Sequence, residues 1–242
     1  MGGAVGKSLK MRVLQLLLLL GVVGILASTL VWSEHYLWLS FGIVILAIII
    51  FLLHFERRKI VAREIVLLAV MAAIASVSRI PFAAIPSVQP TTFVIMMAGF
   101  VFGKESGFII GVVSALASNM ILGQGPWTPW QMIAWGLVGF SAGLLRNWSV
   151  MKGTIGKVGF AIIWGFLFGW IMNIWGLLAL TGGGTGEGGL LDPQVLIPYF
   201  ISSALFDSMH AVSNVVFLLL FGGVWVKLLE RFKMKYGLLE YK

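Results

Sequence analysis

Long apolar runs alternate with short polar breaks along the whole chain. A helix needs about 20 apolar residues to cross the hydrocarbon core of a bilayer. Eight runs are read as spans: 13–32, 36–53, 61–79, 91–103, 106–122, 130–147, 157–180 and 198–226. The fourth is short and follows Ile80–Pro90, a segment holding Pro81, Pro86 and Pro90. Proline removes a backbone donor and disfavours helix in the residue before it, so this segment is expected to be a folded loop. The pattern predicts an all-α fold, a polytopic membrane helical bundle of eight spans.

Charge orients the bundle. With the N-terminus in the cytoplasm, sixteen of the seventeen Lys and Arg residues fall inside, and only Arg79 falls outside. Basic residues of short loops stay cytoplasmic, so the split predicts both termini in. The acids do not follow it, since Glu34, Glu187 and Asp192 face out. Hydrophobic residues make up 60% and charged residues 11% of the chain. A soluble domain would carry about a quarter charged residues. The net charge of +8 therefore reads as inner-face bias and attraction to anionic lipid, not as a nucleic-acid footprint. With no Cys there is no disulfide framework, no thiol catalysis and no Cys-based zinc site.

The first span has the layout of a signal peptide, with a basic start and a Leu-rich middle, but is read as a retained helix. The second comes after only Ser33–His35, so the two form a hairpin. Basic residues within 56–63 separate this hairpin from the remaining spans. Residues 1–60 are expected to be an N-terminal transmembrane hairpin, and 61–242 a six-helix core. Small residues recur at four-residue spacing: Gly99, Gly103, Gly107 and Gly111; Gly139 and Gly143; Gly165 and Gly169. Such spacing lets helix backbones approach closely in lipid.

The outer loops are more elaborate than the inner ones. Residues 123–131 read GQGPWTPWQ and 181–192 read TGGGTGEGGLLD, without a single Lys or Arg. Two Pro and two Trp crowd into five residues, and Trp127 with Trp130 would make a stiff aromatic platform for a bulky organic ligand. Trp at the interface is equally an anchor in the aromatic belt. Asp207, His210 and Asn214 sit at i, i+3 and i+7 on one face of the last span. An ionisable group inside the membrane is costly unless paired or watered, and it marks a functional cavity by default. The alternative is an Asp–His hydrogen bond that ties helices together. Asn119, with Ser114 and Ser118, and Asn173 lie in the outer halves of their spans and converge on the same region. Gln89, Gln124 and Gln131 join them from the loops. Arg79 either snorkels to the interface or meets a ligand anion or an outer acid.

No enzyme motif recommends itself. Gly6–Lys7–Ser8 ends like a phosphate loop, but no strand precedes it and the first glycine would fall at Met1. The three His residues have no metal-ligand spacing, and neither HExxH nor GxSxG occurs. No catalytic residue, metal site or cofactor is expected.

Three stretches carry a family resemblance over about 61–242. They are the first core helix from Glu64 to Ala73 (EIVLLAVMAA), then Arg79–Ile80–Pro81, then GQGPWTPWQMIAWG from Gly123 to Gly136. Together they resemble the substrate-binding S component of energy-coupling factor (ECF) vitamin transporters, and the Trp-Pro loop looks most like a subgroup associated with cobalamin or related corrinoids. The resemblance implies a six-helix prokaryotic membrane protein that captures a vitamin from outside, carries no ATPase, and docks on a membrane scaffold driven by two cytoplasmic ATPases. It implies toppling in the membrane to release substrate. It maps docking onto Ala69 and Ala73, and substrate contact onto Ile80–Thr92, Gln124–Gln131 and Thr181–Asp192. The 1–60 hairpin departs from the six-helix pattern.

Rival readings differ in visible ways. A self-sufficient secondary transporter often has repeated halves with broken helices, and no convincing repeat relates the halves of the core. A membrane enzyme acting on lipid would want clustered inner acids, but Glu56, Glu64, Glu105, Glu230 and Glu240 are scattered among bases. A purely structural membrane protein would not account for the outer loops.

Overall fold

The computed structural model of the chain describes residues 62–180 and 192–236, together with Gly42 and Leu46. The expected hairpin at 1–60, apart from those two residues, and the Gly-rich loop at 181–191 lie outside the described residues. The described residues are helical, with no strand among them. The helices are α1 (Ala62–Arg79), α2 (Pro90–Phe102), α3 (Lys104–Leu122), α4 (Thr128–Leu145), α5 (Ser149–Lys152), α6 (Thr154–Leu180) and α7 (Pro193–Tyr236).

Four of them are long and apolar enough to cross a membrane: α1 extended to Phe82, α3, α6 and α7. The other two spans read from the sequence are helices of a different kind. In α4 the polar first turn Thr-Pro-Trp-Gln dilutes the apolar run. With 13 residues, α2 is about 20 Å long, short of the roughly 30 Å hydrocarbon core. All of α2 except Phe100 is buried. A helix apolar on every side belongs in the middle of a bundle, and α2 is the central post around which its neighbours pack.

The segment after α1 departs from expectation at its start. Ile80–Phe82 forms a 3-10 turn, with Pro81 early in it, where a missing N–H leaves nothing unpaired. The last helix departs at its N-terminal end. It begins at Pro193 rather than near 198 and carries Pro198 inside. Pro198 lies in the second turn, so its missing donor interrupts the ladder only near the helix start. The short α5 has no counterpart in the apolar pattern.

Glycines set the closest approaches. A Cβ on Gly107 would overlap the carbonyl of Gly139, one on Gly111 that of Trp135, and one on Gly143 the backbone of Lys104. As α3 advances its partners in α4 recede, so the two helices run antiparallel. Gly99 of α2 meets the same Gly139 carbonyl, which closes a three-helix junction at 99, 107 and 139. Gly103 plays another part. At φ 96° and ψ 174° it makes the α2–α3 turn in a conformation that side chains avoid. Antiparallel contact recurs between α6 and α7, where Gly165 faces Ala211, Gly169 faces Asp207 and Gly176 faces Tyr199.

These directions sort the charges. Arg63 begins α1, Lys104 begins α3, Arg146 comes directly after α4, Lys152 and Lys157 flank the α5–α6 join, and Lys227, Arg231, Lys233 and Lys235 end α7. All belong to the same end of the bundle. Arg79 stands at the other, with the 80–90 loop and the start of α4.

Candidate functional site

At the Arg79 end, a chain of hydrogen bonds joins three helices. The Arg79 guanidinium, through one Nη, donates to Asn119 Oδ1 at 2.8 Å and to Ser118 Oγ at 3.1 Å. With its oxygen fixed by a cation, the Asn119 amide turns its Nδ2 outward. It donates to Gln131 Oε1 at 2.7 Å and Thr128 Oγ1 at 2.9 Å. Thr128 passes its proton to Gln124 Oε1 at 2.9 Å, and Gln124 Nε2 closes on the Leu116 carbonyl at 3.1 Å. So α1, α3 and the start of α4 are tied by one chain of side-chain bonds. The Arg79 bonds are charge-assisted and those of Asn119 are buried, whereas the Gln124–Leu116 end is exposed.

Arg79 also lies over the Trp135 ring, with Cζ 5.1 Å from its centroid, a cation–π contact. Trp135 carries the connection inward. It is fully buried, and its Nε1–H donates to Thr92 Oγ1 at 2.9 Å. Thr92 Oγ1 is in turn 2.8 Å from His210 Nε2. The threonine oxygen has two acceptor positions, so it accepts from Trp135 and still bonds the imidazole, in a direction that follows the His210 tautomer. Phe168 packs edge-on against the His210 ring at 4.9 Å and on Trp135 at 5.1 Å, sealing the relay with apolar surface.

His210 opens onto a cavity of about 370 Å³. Its walls are α6 from Phe168 to Asn173, α7 from Tyr199 to His210, and Ser87 and Gln89 of the loop before α2. Polar groups gather on one side. Asn173 Nδ2 donates to Ser203 Oγ at 2.7 Å, and Ser203 Oγ stands 3.1 Å from Asp207 Oδ2. Gly169 makes room for the carboxylate, since a Cβ there would fall on Asp207 Oδ1. The loop is pinned where Gln89 N–H donates to Ser213 Oγ at 3.1 Å, while Gln89 Oε1 is buried without a partner among the described residues. Ser87 adopts φ 57°, a left-handed conformation that a non-glycine residue holds only when its surroundings demand it.

The residues singled out in the sequence thus fall into two groups. Arg79, Asn119, Gln124 and Gln131 form the hydrogen-bonded network, and Gln89, Asn173, Asp207 and His210 line the cavity. Asp207 and His210 do not bond to each other although they are one turn apart. Asp207 turns to Ser203 and His210 to Thr92, because α6 and α2 offer partners on different sides of α7. Trp127 and Trp130 do not form a shared platform. Pro129 starts α4 between them, so Trp130 turns into the core at 4% exposure while Trp127 packs edge-on against Trp175 at 5.8 Å. Asn214, also predicted on the polar face, is fully buried and donates to the Ala161 carbonyl at 3.3 Å. Ala69 and Ala73 are exposed on α1 beside Val66, Val70 and Val77, an apolar strip with small residues at its centre.

Ser203 and Tyr199 are cavity residues that sequence reading missed, and the relay residue Thr92 entered only as the end of the Ile80–Thr92 segment. One signal was available for the first two. Tyr199, Ser203 and Asp207 recur every four residues, the same polar stripe that His210 and Asn214 continue. Thr92 carried no such mark, since it lies in an almost wholly apolar helix. Among the described residues no group of three or more His, Asp or Glu is placed to hold a metal ion.

A family model described as "ECF transporter, substrate-specific component" matches residues 63–233. No solved structure matches the chain.

Proposed function

Because the chain belongs to the substrate-specific component family of ECF transporters, we propose that it is the membrane subunit that captures a vitamin-like small organic molecule and hands it to an ATP-driven partner complex. The family is one of transporter components, not of enzymes. The cavity at the Arg79 end carries this reading. It is a half-open cleft between two long helices and a pinned loop, it mixes aromatic walls with polar groups, and its volume is of the size small-molecule sites have. The basic residues gather at the opposite end, which by the charge rule is the cytoplasmic one. The cavity then faces outward, and both termini lie on the inner side of a prokaryotic plasma membrane.

Roles follow from which groups are already spent. Arg79, Asn119, Gln124 and Gln131 are bonded into one network, so they position α1, α3 and α4. Gln89, Asn173, Asp207 and His210 keep unspent capacity and contact the ligand. Thr92 and Trp135 connect the two groups, so a ligand that moves His210 is felt at Arg79 through three buried contacts. Ala69 and Ala73 offer a flat place for the scaffold helices to approach. The two ATPases and the scaffold supply the energy, and the 1–60 hairpin adds a tether or partner contact that a six-helix core lacks.

The Trp-Pro loop favours cobalamin or a related corrinoid as cargo. The cavity favours something smaller, since a whole corrinoid lies at or beyond the upper end of the roughly 300–1,000 Å³ range of small-molecule pockets. A binding titration on the purified chain tests both. Tight binding of cobalamin or cobinamide supports the loop resemblance. Its absence, with a smaller bound molecule found by mass spectrometry of the purified protein, supports the cavity.

A further inference from the structure

The cavity's charge balance goes beyond its size. Eight polar side chains line it: Ser87, Gln89, Asn173, Tyr199, Ser202, Ser203, Asp207 and His210. One is an acid and none is a Lys or Arg. Asp207 is 4% exposed, and among the described residues its carboxylate has one hydrogen bond, from Ser203 Oγ. That single donor is itself divided. The Ser203 hydroxyl has one proton, and the Phe200 carbonyl lies at 3.1 Å, the same distance as Asp207 Oδ2. A carboxylate has about four acceptor positions. Water-shielded acids in membrane helices persist by pairing with a cation or with donors. Gln89 Oε1 is a second buried acceptor, with no donor among the described residues. The cavity therefore presents surplus acceptors and a buried acid with no cation beside it among the described residues.

Arg79 does not compensate it. Its guanidinium is committed to Asn119, Ser118 and the Trp135 face, with Thr92 and His210 standing between. His210 does not pair with it either, since its Nε2 is turned to Thr92 and it makes no hydrogen bond to Asp207. The Phe168 and Phe206 rings supply apolar wall and a surface suited to a flat or cationic group.

We infer that the substrate is a small amine-bearing or permanently cationic heteroaromatic molecule, whose positive group pairs with Asp207 and whose N–H donors meet Gln89 Oε1. This rests on the reading of the cavity as the capture site. It disfavours a carboxylate-headed vitamin, because the lining offers an anion no Lys or Arg and would set it beside another acid.

The test uses the full chain in detergent or nanodiscs and two pairs of probes: thiamine and pyridoxamine as cationic heteroaromatics, nicotinate and biotin as carboxylates. Binding is read by calorimetry and thermal shift. At least one cationic probe should bind at least tenfold tighter than either carboxylate. Asp207→Asn should weaken it at least tenfold while the melting temperature without ligand stays within a few degrees. Asp207→Glu, which keeps the acid, guards against loss of fold and should bind the cationic probe more tightly than Asp207→Asn. Preference for a carboxylate, no binding of either cationic probe up to about 1 mM, or full cation affinity in Asp207→Asn each overturns the inference. The underlying transporter reading fails separately, if the co-expressed chain does not associate with scaffold and ATPase subunits.

Discussion

Replacing Thr92 by Val removes one hydroxyl and keeps the shape. That hydroxyl accepts from Trp135 Nε1 at 2.9 Å and pairs with His210 Nε2 at 2.8 Å. Thr92 and Trp135 are fully buried and His210 is 3% exposed, so water cannot enter to replace the lost partner. An interhelical side-chain hydrogen bond within a membrane bundle is worth about 0.6 kcal/mol on average and about 1.7 at most. Two bonds are lost here, and both partners become orphans, so the upper part of that range applies. The expected loss is roughly 1–3 kcal/mol. At roughly 2–4 °C per kcal/mol for a chain of this size, the melting temperature of Thr92→Val falls by roughly 2–12 °C. Thr92→Ser keeps the hydroxyl and recovers most of the loss. Ligand affinity falls as well, because His210 loses the contact that fixes its ring. The assay is a thermal melt in detergent with a titration at saturating and limiting ligand. A Thr92→Val protein as stable as the wild type, with unchanged affinity, would refute the relay.

Other consequences are as direct. Gly139→Leu puts a side chain where the Gly107 backbone sits, and the variant should fail to accumulate as folded protein in a membrane expression assay. Arg79→Met removes the cation that orients Asn119 and should lower the melting temperature, whereas Arg79→Lys restores charge but not the two-acceptor geometry and should recover only part of it. On this Cys-free chain, Gln124→Cys should react with an impermeant thiol reagent from outside and Lys152→Cys only from inside, and the reverse pattern would invert the topology. Ala69→Leu or Ala73→Leu should abolish uptake and scaffold association but leave ligand binding intact. Normal uptake by both would show that this face is not the docking surface.

The helices were legible because a bilayer writes them as apolar runs, and the described starts and ends lie within a few residues of the runs for α1 to α4. Hydropathy cannot separate a lipid-facing helix from a protein-facing one. The 13 residues of α2 read as a short span, yet their all-round burial makes them the centre of the bundle. The glycine series was visible, but its pairings were not. Gly103 shares the four-residue spacing of Gly99 and Gly107, yet it turns the chain while they pack helices. The polar positions were visible too, since Arg79, Asn119, Asp207 and His210 stand out against apolar surroundings. Their partners were not, because each contact crosses between helices. A one-turn spacing made Asp207 and His210 look like a pair, and α2 and α6 drew them apart. The two tryptophans misled in the same way. Sequence closeness at 127 and 130 promised one aromatic surface, and the helix start at Thr128 sent them in different directions.

The central claim is that this chain lends substrate capture to an ATPase complex it does not contain. Affinity purification of the tagged full chain from its own host's membranes, followed by mass spectrometry of the eluted subunits, tests it most directly. The account predicts one membrane scaffold and two ATP-binding subunits in near-stoichiometric amounts with the wild type, and their loss with Ala69→Leu. A wild-type chain that elutes alone, and moves its substrate into liposomes without ATPase subunits, would contradict it.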